Sequence, residues 1–263
     1  MEDIEETNTV LHNTTTNPDD YTDDDMILQN IETPTVQERT EIMSMLSEGM
    51  NEVPYHRYAY GNHAESERLY LLASIGPRYD KDYADANPDM SQFPKACETW
   101  ALKSKSDGRI NSIMFFSDPR KTYSDDEYEE LYEARSQNNL SFDKCKWWNE
   151  TVIPTAIELG DNLEEDLGTE ISKMFHVTFL TTDRSCRSKG YGKTLLSKLT
   201  NMSDESKYPV WLYTTDRTTR FYEKAKLREH GRKEVNMGKE GSIPIVTMRY
   251  LPEGWQDVAG VKT

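Results

Sequence analysis

Six consecutive residues, Arg187-Ser188-Lys189-Gly190-Tyr191-Gly192, have the composition of an anion cradle. Before them lies a β-branched and aromatic run, residues 176–182. After them comes KTLLSKLT, in which Leu195, Leu196 and Leu199 share one helix face. A strand that passes through a glycine turn into a helix aims unbonded N–H groups at one spot. The positive end of the helix dipole points there too. Glycine removes the Cβ that would hold an anion off the backbone. The chemistry this predicts is phosphate binding, by the backbone from Ser188 to Lys193 with charge from Arg187 and Lys189.

The elements that must position this turn can be read in outline. A helix starts at Thr33-Pro34-Thr35, carries Ile42, Met45 and Leu46, and stops at Gly49. A second amphipathic segment, 65–75, ends at Gly76-Pro77. The aromatic stretch VPYHRYAYGNH between them is either a packed connector or a wall of a substrate pocket. Residues 78–95 read as a loop. Residues 99–103 and 109–116 read as a hairpin across Ser106-Asp107-Gly108. Residues 118–172 form a charged helical insertion with helices at 125–134 and 144–158, the second kinked at Pro154, then an acidic loop at 160–168. A loop at 203–207 leads to PVWLYT, a strand apolar on both faces. A helix at 217–226, capped by Thr215 or Asp216, precedes two last strands, 227–234 and 243–250.

Composition narrows the function classes. The chain has 263 residues and a net charge of −16, and ten of the negative charges lie in residues 1–33, which hold no Lys or Arg. The remaining −6 argues against general affinity for nucleic acid; the acid is read first as keeping the protein soluble and second as suiting a cationic substrate. No apolar run approaches the ~18–20 residues of a membrane span, so no membrane partner is expected. The acidic start lacks a basic-then-apolar signal, and we expect a cytoplasmic or nuclear-cytoplasmic protein. Cys97, Cys145 and Cys186 fit neither a disulfide framework nor a zinc site, and Asp23-Asp24-Asp25 has no fold to shape it around a metal. No metal is expected.

The element order and residues 187–192 together resemble the GNAT acetyltransferases. Their acetyl-CoA signature is Arg or Gln, two residues, Gly, one residue, then Gly or Ala. A second stretch, Thr215-Asp216-Arg217-Thr218-Thr219-Arg220-Phe221-Tyr222-Glu223-Lys224, resembles the family's Asn-x-x-Ala-x-x-x-Tyr-Glu-Lys helix. Thr215 stands for the Asn and Thr218 for the Ala, and Ala225-Lys226-Leu227 departs from Leu-Gly-Phe. The resemblance covers about residues 95–250 and reaches weakly back to 34. The insertion and the stretch GSIPIVTMRYLPEGW look like fungal and puromycin-acetyltransferase-like branches.

The resemblance implies an α/β GNAT (acyl-CoA N-acyltransferase) fold over 34–263, with a mixed, mostly antiparallel sheet flanked by helices; residues 1–33, rich in Thr, Asn and Asp and poor in apolar residues, read as a disordered acidic tail. It implies direct transfer of acetyl from acetyl-CoA to an amine. Arg187 to Lys193 would hold the pyrophosphate, with Thr215 nearby. The backbone of Leu180, Thr181 and Thr182 would pair with the pantetheine arm, and an N–H near Leu180 would polarise the thioester carbonyl. Tyr222 would protonate the leaving thiolate, and His176 would take the proton of the amine. Glu98 and Asp183 are weaker bases in this scheme. Cys186 would face the pyrophosphate, away from the thioester, and His12, His56, His63 and His230 have no supporting pattern. The insertion and residues 54–60 would enclose a pocket, which favours a small-molecule amine. A protein or peptide N-acetyltransferase and a non-catalytic acyl-CoA-binding module are the alternatives. The oligomeric state is open.

Overall fold

The first helix shows how local chemistry sets the frame. Thr35 accepts from the Glu38 N–H while the Glu38 carboxylate accepts from the Thr35 N–H, a reciprocal capping box that starts α1 (Val36–Met50). Glu38 also takes the Lys103 ammonium at 2.8 Å, fastening α1 to the sheet. In this computed structural model the described residues are 25–86, 97–121 and 126–255.

Seven strands make one sheet: β1 (Met26–Asn30), β2 (Glu98–Ser104), β3 (Ile110–Ser117), β4 (Phe175–Thr182), β5 (Val210–Thr214), β6 (Arg228–Asn236) and β7 (Ser242–Tyr250). Their order is β1-β2-β3-β4-β5-β7-β6, and every neighbouring pair is antiparallel except β4–β5. The expected mixed, mostly antiparallel sheet flanked by helices is what forms. One face is covered by α1 with α3 (Ala64–Ile75), around Ile42, Leu46, Leu72, Ile113 and Phe115. The other is covered by α8 (Tyr191–Ser206), whose Leu195, Leu196 and Leu199 are fully buried against Phe175, Val177 and Leu212. Truncating such a leucine loses transfer energy and leaves a cavity, so Leu199→Ala is expected to cost ~2–5 kcal/mol in a denaturant titration.

Several elements depart from the sequence reading. The start expected to be disordered up to residue 33 takes form earlier: Met26–Asn30 pairs as an edge strand with Ser104–Trp100. Its Met26 reaches the core while Ile27 and Leu28 stay exposed, so apolar content alone did not reveal it. Residues 1–24 of the tail lie outside the described residues, as do 87–96 of the loop at 78–95. That loop also holds a short helix, α4 (Lys81–Ala86). Gly49 does not stop α1: a Cβ there would lie 2.9 Å from the Thr181 hydroxyl, so glycine lets the helix seat against β4.

In the insertion, α5 (Asp126–Asn139) and α6 (Phe142–Trp147) are followed by a π-turn at Trp148–Val152. The backbone stays helical through this wider turn, and Pro154 sits just after it, in the first turn of α7 (Ile153–Leu167). The acidic segment read as a loop at 160–168 belongs to α7, because Leu159, Leu163 and Leu167 recur at helical spacing and bury one stripe. Residues 203–206 likewise continue α8, with Ser203 buried and its hydroxyl donated to the Tyr208 carbonyl. Among the described residues no helix is long and apolar enough to cross a membrane.

Candidate active site

β4 and β5 part. They pair only at Phe175↔Val210 and His176↔Trp211, then diverge, although β4 continues to Thr182 and β5 to Thr214. The gap opens into a cleft of about 930 Å³ bounded by α1, the turn after β4, α8 and α9 (Asp216–Lys224). On the far side β4 pairs with β3 through an irregularity at Phe115/Phe116, which leaves Thr178 as the extra residue of a bulge. The bulge shifts the alternation of the strand. Phe175 and Val177 pack towards α8, whereas Phe179 packs towards α1 and α3.

Past the bulge, the Asp183 N–H donates to Asn111 of the β3 side at 2.9 Å. By strand alternation the main-chain groups of Leu180 and Thr182 then face the cleft. Thr181 turns the other way: its carbonyl accepts the Ser112 hydroxyl at 3.0 Å, and its own hydroxyl donates to Met45 under α1. Of the three expected backbone partners, Leu180 and Thr182 thus turn their main chain to the cleft, while Thr181 also lines it but gives its carbonyl to Ser112.

One end of the cleft is cationic. Gly190 holds the N-cap of α8 with φ 86°, a conformation open to glycine, and Ser188 also has positive φ, at 65°. Thr194 is the first residue whose N–H bonds back into the turn, at 3.0 Å to the Gly190 carbonyl, so the N–H groups before it point outward from the helix start. Arg187, Ser188, Gly190, Tyr191, Gly192 and Lys193 line the cleft, whereas Lys189 stays exposed outside the lining. The Tyr191 ring is buried with Leu195 in the core and anchors the turn.

Glu52, from the connector after α1, lies on this cradle. Arg187 donates to both of its oxygens at 2.8 Å, and Arg184 reaches it at 3.3 Å. Burial alone would raise the Glu52 carboxyl; the hydrogen bond and charge of Arg187, then those of Arg184, outweigh it and hold the group below the usual carboxylate range. Arg217 donates to the Glu52 carbonyl at 3.1 Å, and with Arg220 and Lys224 it gives α9 a basic stripe along the cleft. The sequence reading missed Glu52, which no motif marks. The i, i+3, i+7 spacing of the α9 cations was visible.

The other end is aromatic. Tyr222 lies half-buried on α9 and lines the cleft together with Thr214, Thr215 and Tyr55. Burial first, then the nearby Tyr55 phenol, raise its hydroxyl well above 10. Thr215 occupies the N-cap position of α9, but its side chain makes no capping bond. His176 lies face to face with Trp211, centroids 4.1 Å apart, and burial pushes its imidazole down to about 4. It lines the same cleft as Tyr222 and is neutral at physiological pH, able to accept a proton but weakly basic.

Glu98 and Asp183 stand apart from the cleft. Glu98 is buried beside Lys121 at 3.0 Å, and Asp183 is bound by Arg109 at 2.6 Å while capping the turn at 184–186. Cys186 borders the cleft on its cationic side, and its thiol donates to Asn111 at 3.4 Å.

His56 is a structural surprise. It is fully buried among Tyr60, Tyr70 and Trp148, with no hydrogen-bond partner among the described residues for either ring nitrogen. Burial holds it down to about 3 against an ordinary value near 6.5. The unfolded chain thus takes a proton at a pH where the folded chain refuses it, so this stability is complete above about 6.5 and falls as pH drops towards 3. Denaturant titrations across that window should show His56→Phe losing less stability with acid than the parent, by up to ~1.4 kcal/mol per pH unit.

No family model matches the chain, and no curated protein matches it. Solved structures do match. Arylalkylamine N-acetyltransferase 2 from Aedes aegypti aligns with a TM-score of 0.54 at 13% identity, over 86% of this chain and 98% of that chain. An agmatine N-acetyltransferase aligns with a TM-score of 0.49 at 13% identity, over 87% and 100%. A Bacillus anthracis protein described as a streptothricin acetyltransferase, in complex with acetyl coenzyme A, gives 0.34 at 12% identity over 59% of this chain, which spans 62% of that one. Further neighbours include proteins described as acetyltransferases of the GNAT family, and the fold of this chain is the acyltransferase fold seen in the Aedes aegypti enzyme.

Proposed function

We propose that this chain is an N-acetyltransferase that moves the acetyl group of acetyl-CoA to the amine of a small molecule by direct attack. The observation that carries the reading is the parting of β4 from β5. It leaves the main chain of Leu180 and Thr182 unpaired by β5, between a cationic helix start at one end and Tyr222 with His176 at the other. A CoA thioester has the matching order of groups: pyrophosphate, amide-bearing arm, thioester. The helix start also suits an anion by its chemistry, since the Glu52 carboxylate already rests on Arg187.

In this reading the α8 turn, Arg187, Arg217 and Arg220 bind the phosphates. Leu180 and Thr182 bond the arm as a strand would. A β4 N–H at the bulge polarises the thioester carbonyl. The amine nitrogen attacks that carbon, the C–S bond breaks, and Tyr222 gives its proton to the departing sulfur. Burial raises the Tyr222 hydroxyl but disfavours a buried thiolate as well, so the transfer stays between groups perturbed in the same direction. Positioning of amine and thioester supplies most of the acceleration.

An acceptor panel tests the proposal. The full chain, given labelled acetyl-CoA, should acetylate small amines by mass spectrometry. Acetylation of histone tails or other peptides with no small amine modified would overturn it, as would acetyl-CoA binding with no transfer. Glu52 must leave Arg187 when phosphate arrives, and an exposed ion pair is worth ~0.2–1 kcal/mol. Glu52→Gln should therefore bind CoA more tightly by calorimetry, by a factor between about 1.4 and about 5.

A further inference from the structure

Resting on the acetyl-transfer reading, the chemistry of the non-phosphate end of the cleft narrows the acceptor. Four tyrosine rings line this end from four elements: Tyr55 of α2 (Pro54–Tyr60), Tyr70 of α3, Tyr213 of β5, whose hydroxyl donates to the Ala156 carbonyl of α7, and Tyr222 of α9, with His176 of β4 beside them. Tyr55 is close enough to Tyr70, Tyr213 and Tyr222 to act electrostatically on each. Behind this layer Trp148 packs on Tyr55 and Tyr70, and Trp211 packs on His176 and Tyr213. Both tryptophans are buried and fix the wall in place.

The charge at this end is equally specific. Among the described residues, Glu52 is the one carboxylate that lines the cleft, and Arg187 and Arg184 hold it at the phosphate end. The titratable groups facing the aromatic end are the four tyrosines and His176. Glu133 of α5 acts on Tyr70, and Asp161 of α7 acts on Tyr213, both from outside the lining. An aromatic wall attracts a single ammonium by cation–π contact. Among the described residues its lining holds no carboxylate for a second or third positive charge, and desolvation there favours the neutral form of an amine.

We infer that this phenol-lined end takes a primary amine carried on an uncharged aromatic or apolar scaffold, and takes it as the free base. The ammonium loses its proton to solvent on entry, so no strongly basic side chain is needed. The neutral nitrogen attacks the thioester carbon and the sulfur leaves. The proton that nitrogen then sheds balances the one that Tyr222 delivers to sulfur, and amine plus acetyl-CoA give acetamide plus CoA thiol. His176 accepts a proton at most transiently and serves mainly as wall.

Initial rates at saturating acetyl-CoA test this with 2-phenylethylamine, spermidine and a lysine-containing peptide. We expect kcat/KM for phenylethylamine to exceed that for spermidine at least 100-fold. It should rise about tenfold per pH unit from 6 to 8, without a plateau, as the free-base fraction grows. Tyr55→Ala should raise KM for phenylethylamine at least tenfold with CoA affinity unchanged, and Tyr55→Phe should restore it. Preference for spermidine or the peptide, or a plateau near pH 7 that belongs to the enzyme, overturns the inference and leaves acetyl transfer standing. Bound acetyl-CoA with no amine acetylated overturns both.

Discussion

Tyr222→Phe is expected to lower kcat by about 10²–10⁴-fold while CoA affinity changes little, because proton transfer by a positioned group is worth that much. The substitution removes one oxygen and keeps the ring that packs beside the core of α8 and β5. Steady-state kinetics and a CoA titration on the same preparation separate the two quantities. The raised phenol adds a signature: the parent enzyme should lose no rate through Tyr222 ionisation up to about pH 10, since the group stays protonated beyond its ordinary value near 10. An unchanged kcat in Tyr222→Phe would remove Tyr222 from the proton path.

Gly192→Val is expected to weaken CoA binding by at least ~10–100-fold and leave the fold intact. Gly192 sits in the first turn of α8, and a Cβ there would lie 3.1 Å from the Phe221 ring and 3.5 Å from the Thr182 hydroxyl. Added bulk thus narrows the passage between the helix start and β4, where a phosphate would need contact with the N–H groups. A hydrogen bond to a charged group is worth ~1.5–3 kcal/mol, which is the quoted loss for each bond prevented. Folding should not suffer, because valine is at least as good a helix former as glycine and Phe221 is partly exposed and can shift. Melting temperature and CoA affinity moving in different directions would be the diagnostic pattern; a parallel fall in both would make Gly192 a packing residue.

What could be read from the sequence was the local chemistry. The glycine turn at 187–192, the helix after it and the Asp107-Gly108 hairpin each follow from short-range rules, and each forms where expected. Two kinds of feature were hidden. The first is set by partners distant in sequence. β1 becomes a strand because β2 offers it an edge, and Thr178 becomes a bulge because β3 and β4 differ in register; neither leaves a mark in five or eight residues. The second is the identity of the cleft walls. The connector at 53–60, read first as packing and second as a pocket wall, is both: His56 and Tyr60 are buried, while Tyr55 faces the cleft. Helical alternation divides these roles, but only the fold says which face meets the cleft.

The account turns on acetyl-CoA lying along β4 with its phosphates at the start of α8. Residue-resolved amide hydrogen exchange, with and without CoA, tests that placement most directly. The account predicts slowed exchange at Leu180, Thr182 and the N–H groups from Ser188 to Lys193, and unchanged exchange at Thr181, whose main chain is committed to β3. Saturating CoA with no protection at the start of α8, or with protection confined to another surface, would contradict it.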